Sequence, residues 1–145
     1  MSSGLFDLDG RIALVTGATH GLGMAMAMGL GEAGATLVVN GHSSDQKIAD
    51  AVDQYRNKGI QAHGYRFNVT DEAAVEAAVE RIETDVGPID ILVNNAGIIK
   101  RVPLLDMSTE DFEEVIRTDL TGVFVMSRRV VRSRVNRGGG IVLNL

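Results

Sequence analysis

Short apolar runs alternate with amphipathic stretches along the whole chain. Residues 12–15, Ile-Ala-Leu-Val, form the first run and read as a buried strand. A glycine-rich turn follows, then a helix over residues 24–33. Leu37-Val38-Val39 is a second strand. Ser43 or Ser44 caps the next helix, with Asp45 in its first turn and Ile48, Val52 and Tyr55 on one face. Gly59 ends that helix, and a third strand runs to Phe67. Thr70 is expected to cap a helix carrying Val75, Val79, Ile82 and Val86 on its buried face. Gly87-Pro88 stops it, and residues 89–93 form a fourth strand. Ser108-Thr109-Glu110-Asp111 reads as a capping box. A long helix is expected from Asp119 to Val135, where Gly138-Gly139-Gly140 breaks the chain before a fifth strand at 141–145.

Strands that alternate with helices imply a parallel sheet with right-handed crossovers. The pattern predicts five parallel strands in the order 3-2-1-4-5, with a short fifth strand on an exposed edge. In an open sheet of this kind, ligands bind beyond the carboxyl ends of the strands. The loops that follow Val15, Val39, Phe67 and Val93 are the polar ones, so these should gather at one site.

The first of those loops carries the most chemistry. TGATHGLG at 16–23 joins a strand to a helix. Such a junction aims unpaired helix N–H groups and the positive end of the dipole at one point, which suits phosphate. Gly17 permits the tight turn. Gly21 removes a side chain where a pyrophosphate would approach. Gly23 lets the helix pack close to the sheet. The spacing is G-x-x-x-G-x-G, which is neither the common dinucleotide fingerprint nor a P-loop.

Composition narrows the classes. A chain of 145 residues makes one domain with a proper core. It has no cysteine, so disulfides, thiolate chemistry and zinc ribbons are excluded. No metal site is expected. The start, MSSGLFDLDG, lacks a basic and an apolar leader region, and no run approaches a membrane span, so a cytoplasmic protein is expected. The net charge of −5 is uneven. From Arg117 onward six arginines face one acid, a net +5, which leaves −10 on the first 116 residues. No aromatics interleave with the arginines, so a nucleic-acid surface is not indicated. The basic segment reads as a solvated helix end. Met24, Met26 and Met28 read as core filler.

The chain resembles the short-chain dehydrogenase/reductase family. TGATHGLG matches the family's T-G-x-x-x-G-x-G, and NNAG at 94–97 matches its second signature. The wording GPIDILVNNAG and NNAGIIKRVPLLDM is similar to the gluconate 5-dehydrogenase branch, which includes related sugar-acid dehydrogenases. The resemblance implies a Rossmann-like fold, one NAD(P)-binding domain over 1–145, and a homo-oligomeric parent. It implies hydride transfer between a nicotinamide cofactor and a sugar acid, D-gluconate and 5-keto-D-gluconate first. It covers the whole chain but only the first part of the family's usual domain, so truncation in the fifth strand is expected. The family's serine and Tyr-x-x-x-Lys lie further on. Tyr55 and Tyr65 are followed four positions later by Gly59 and Val69. The chain alone is therefore expected to be inactive.

The resemblance also assigns residues. Gly17, Thr19, His20, Gly21, Leu22 and Gly23 would bind the cofactor phosphates. Gly41 stands where NAD-preferring relatives carry aspartate. His42 stands where NADP-preferring relatives often carry arginine, with Ser43 beside it. These features favour NADP(H) while leaving NAD(H) open, the alternative being that both histidines are merely exposed loop residues. Asn68, with Val69, would lie beside the adenine. Asn95, Ala96 and Gly97 would wall the riboses, while Asn94 holds a neighbouring strand. Asp119 replaces a family asparagine that supports a catalytic water; it either contributes to catalysis or bonds backbone N–H groups. Arg101, preferred to Lys100, would hold a substrate carboxylate or else lie in a solvated loop. Two other classes remain: a non-catalytic dinucleotide-binding or subunit-interaction protein, and an inactive fragment.

Overall fold

A computed structural model describes residues 4–145; residues 1–3, the start of the MSSGLFDLDG segment considered above, lie outside it. The strands are β1 (Ile12–Val15), β2 (Thr36–Gly41), β3 (Ala62–Arg66), β4 (Ile91–Asn94) and β5 (Ile141–Asn144). The helices are α1 (Gly21–Glu32), α2 (Asp45–Asn57), α3 (Glu72–Asp85), α4 (Thr109–Ile116) and α5 (Gly122–Arg134). The sheet order is β3-β2-β1-β4-β5, and each neighbouring pair is parallel. This is the open, Rossmann-like α/β architecture expected.

The near-continuous apolar strands follow from a sheet covered on both faces. Successive side chains point to opposite faces. Ala13, Val15, Leu37 and Val39 pack with Ile48, Ala51, Val52 and Tyr55 on the α1–α2 side. Leu14, Val38 and Leu92 pack with Val75, Val79, Ile82, Val125 and Met126 on the α3–α5 side. Met24, Met26 and Met28 lie half-buried against the first cluster, as core filler. All four residues of β5 are exposed, at the sheet edge.

Several local expectations are corrected. α1 begins at Gly21 rather than Met24, because His20 already holds the extended backbone of an N-cap. Of the two candidate serines, Ser44 is the one that caps α2, accepting from the Lys47 N–H as expected. Asp71, not Thr70, caps α3, accepting from Ala74 N–H at 3.0 Å. Thr70 is taken instead by Asn68, whose Oδ1 accepts from both its N–H and its hydroxyl, an Asx-type turn. The capping box at α4 is half-formed. Ser108 Oγ accepts from Asp111 N–H, but the Asp111 carboxylate is engaged by Lys100. The long helix begins earlier than Asp119, since a π-helical turn at Arg117–Thr121 joins α4 to α5.

The arginine-rich segment is not a solvated helix end. Arg128 pairs with Glu72, Arg129 with Glu76 and Glu83, and Arg132 with Glu76. Arg134 reaches Asp90 at 3.0 Å. The charge asymmetry of the sequence is thus a seam between α5 and α3, which pack as neighbours on one face. Among the described residues, no helix is long and apolar enough to cross a membrane.

Candidate functional site

Four loops at the carboxyl ends of β1, β2, β3 and β4 line one open cleft of about 610 Å³. It takes Gly17, Thr19, His20, Gly21, Leu22 and Gly23 from the first loop and the start of α1. Gly41, His42 and Ser43 come from the second. Asn68 and Val69 come from the third, and Asn95, Ala96 and Gly97 from the fourth.

Hydrogen bonds lock these loops together. Thr16 is buried, and its Oγ1 accepts from Asn95 N–H at 3.0 Å and Ala96 N–H at 2.9 Å. The Asn95 amide donates to the carbonyls of Thr16 and Gly17. Asn40 accepts from Gly17 N–H and donates to the Phe67 carbonyl, so the first three loops share one side chain. Tyr55 donates to the Ala18 carbonyl from below. A rigid loop frame of this kind positions backbone donors without needing them to reorganise on binding.

The glycines have separate roles. Gly17 and Gly21 hold φ of +63° and +58°, a region that favours glycine. A Cβ on Gly21 would meet nothing in the protein, so it borders open space at the cleft wall. A Cβ on Gly23 would strike the Gly17 carbonyl and the Asn95 amide. Gly23 therefore seats α1 against its own loop and the NNAG loop, rather than against the sheet. The first turn of α1 has no acidic residue, and His20 makes no side-chain cap. Its side chain is paired with Thr19 Oγ1 instead. The N–H groups at the head of α1 therefore have no side-chain cap from His20.

The far wall was not legible in the sequence. Ile98, Glu114, Arg117 and Thr118 line the cleft, as does Thr70. Glu114 comes from α4, and Arg117 and Thr118 from the π turn that follows it; π turns inside helices recur at functional sites. Asp119 lies in that turn but is not part of the cleft lining. Its Oδ1 accepts from Ile98 N–H at 2.9 Å and sits beside Gly97. Asn94 is buried away from the cleft, donating to Ser127 Oγ and Asn144 Oδ1. Arg101 is exposed and also outside the cleft lining. Lys100 bonds Asp111 and Glu114, and these bonds hold its ammonium above the ordinary lysine range. The same lysine holds the Asp111 carboxyl below the ordinary carboxylate range. Among the described residues, no group of three or more His, Asp or Glu is arranged to hold a metal ion.

A family profile described as short chain dehydrogenase matches residues 11–145. The chain belongs to the short-chain dehydrogenase family. It is 60% identical over 145 residues to a 2-dehydro-3-deoxy-D-gluconate 5-dehydrogenase from Formosa agariphila, covering all of this chain and 55% of that protein. It is 42% identical over 141 residues to a 5-keto-D-gluconate 5-reductase from Escherichia coli, covering 97% and 55%. A gluconate 5-dehydrogenase from Burkholderia cenocepacia, solved in complex with NADP and tartrate, superposes with a TM-score of 0.90 at 42% identity. That match covers 96% of this chain and 54% of the other. The chain spans just over half the length of these relatives.

Proposed function

We propose that the cleft binds NADP(H), with NAD(H) as the weaker ligand. The chain would serve as the cofactor-binding part of an oxidoreductase acting on a sugar acid, D-gluconate and 5-keto-D-gluconate first. The observation that carries this reading is the convergence of four strand-end loops on the uncapped head of α1, with Gly21 open to the cleft. The residues fit a dinucleotide. Gly17 to Gly23 would hold the diphosphate on backbone N–H groups. Asn68 and Val69 would flank the adenine, and Asn95, Ala96 and Gly97 would border the riboses. When bound, the cofactor supplies a hydride donor or acceptor.

NADP(H) is favoured because no acid stands at the end of β2. A Cβ on Gly41 would lie 2.9 Å from Thr19 Cγ2 and 3.0 Å from Ile48 Cγ1, so a ribose-binding aspartate fits there only if these side chains shift. His42 and Ser43 follow on the cleft wall. Arg101 is our choice for a substrate carboxylate, because Lys100 is already paired with two acids. Asp119 would act indirectly, by fixing the NNAG loop through Ile98.

This chain by itself is proposed to bind without turnover. Its two tyrosines are occupied elsewhere. Burial pushes the Tyr55 hydroxyl up to about 12, and it donates to Ala18. Tyr65 bonds Asp85, and burial with that bond raises its pKa. Neither lines the cleft. Positioned acid–base groups are worth ~10²–10⁴-fold in rate. A homo-oligomer belongs to the same proposal, since Phe112, Ile116, Leu120 and Phe124 form an exposed stripe along α4, the π turn and α5.

The test is calorimetric titration of NADPH and NADH into the chain, beside a cofactor-reduction assay with gluconate. NADPH should bind more tightly than NADH, and Gly21→Val should abolish binding while circular dichroism shows a folded chain. No reduction should exceed background. Tighter NADH binding would overturn the cofactor preference, and turnover abolished by Asp119→Ala or Arg101→Ala would overturn the proposed lack of activity.

A further inference from the structure

Arg66 is the last residue of β3, in register with Gly41 at the end of β2. Its Nε donates to the His42 carbonyl at 3.1 Å, and one terminal nitrogen bonds Asp45 at 2.9 Å. It lies directly behind the loop that carries His42 and Ser43 on the cleft wall, without lining the cleft itself. Asp45 opens α2 just past the same loop. Among the cleft-lining residues, the one arginine is Arg117, on the α4 side of the site. Besides Arg117, the lining carries His20 from the glycine loop and His42 from the β2 loop, and the Arg66 guanidinium is bonded to the His42 carbonyl.

We infer that Arg66 and Asp45 together set the preference for a phosphate on the adenosine ribose. Arg66 anchors the His42–Ser43 loop with Nε and presents its remaining N–H groups and charge to the phosphate. Asp45 is the internal anion that competes with it. A guanidinium has five donors in a fixed fork, and only two of its nitrogens are engaged here. Both side chains are largely exposed. An exposed ion pair contributes little, so a phosphate dianion can displace Asp45 at small cost. Charge-assisted bonds to phosphate are the stronger ones. The inference rests on the dinucleotide reading and adds to it a residue pair lying outside the glycine loop, the β2 end and the NNAG loop.

The test compares adenosine 2′,5′-bisphosphate with 5′-AMP, which differ only in the 2′-phosphate. Each is titrated calorimetrically into the 145-residue chain and its variants. The affinity ratio is the readout. The parent chain should prefer the bisphosphate. Arg66→Met should cut that preference about tenfold while 5′-AMP affinity stays the same, as expected for loss of one charge-assisted contact. Asp45→Asn should raise the preference by several-fold, and the double variant should behave as Arg66→Met. Arg66→Lys, which keeps the charge and loses the fork, should fall between. Equal loss of both ligands in Arg66→Met would show a purely structural role and overturn the inference. So would an unchanged ratio in Asp45→Asn, which decides the matter alone if Arg66→Met fails to fold. Binding of 5′-AMP with a parent ratio near one would sink this inference and leave the dinucleotide reading standing. Binding of neither nucleotide would sink both.

Discussion

The Tyr55 hydroxyl donates to the carbonyl of Ala18 at 2.8 Å, and both residues are fully buried. Tyr55 thereby links the inner face of α2 to the middle of the glycine loop. Tyr55→Phe leaves the Ala18 carbonyl buried without this partner, which costs about 1–3 kcal/mol. Urea unfolding should show that loss as a lower midpoint with an unchanged slope.

The same tyrosine predicts alkaline sensitivity. Burial pushes its pKa up from the ordinary tyrosine range to about 12. Above pH 10 the unfolded chain releases this proton while the folded chain keeps it. The unfolded state then binds fewer protons, so stability falls as pH rises. The loss develops between pH 10 and 12 and reaches about 2–3 kcal/mol. In Tyr55→Phe this part of the slope disappears, which denaturant titrations at pH 9, 10 and 11 would read.

Thr16 holds two loops with one oxygen. Thr16→Val removes the acceptor for the N–H groups of Asn95 and Ala96 at nearly constant volume. The expected cost is about 2 kcal/mol or more. Thr16→Ser should retain most of the stability, because the hydroxyl remains. Thermal melts of both variants separate the hydroxyl from the methyl.

The α3–α5 seam should be fragile at Arg129. Its side chain is 11% exposed, and Glu83 opposite is 18% exposed with one carboxylate oxygen lacking any partner. Arg129→Met strands the Glu83 charge, at a cost of about 3 kcal/mol. Adding Glu83→Gln should recover much of that. A double variant no more stable than Arg129→Met would show that the pair is not the source of the loss.

Asp119 should act as an acceptor for backbone. Asp119→Ala should accelerate amide exchange at Ile98, where the 2.9 Å bond is lost. Asp119→Asn keeps an oxygen and should leave Ile98 protected. Equal protection in all three proteins would remove Asp119 from the account of the NNAG loop.

The sheet order and the four-loop site were legible because each rests on short-range pattern. Apolar runs such as 12–15 mark buried strands, and polar residues gather where those runs end. The glycine loop could be read because the left-handed backbone at Gly17 and Gly21 favours glycine. Residues that depend on distant partners could not be read. Arg128, Arg129 and Arg132 look solvated until α3 supplies its glutamates. Thr70 looks like a cap until Asn68 claims it. Arg117 and Thr118 enter the site on a π turn that no periodicity announces.

The strand-end cleft is proposed to bind a dinucleotide. Amide chemical-shift mapping of the labelled chain with NADPH tests it most directly. Shifts should concentrate at residues 17–23, 41–43, 68–70 and 95–98, the lining of the cleft. Shifts confined to residues outside this cleft, or none at millimolar NADPH, would contradict it.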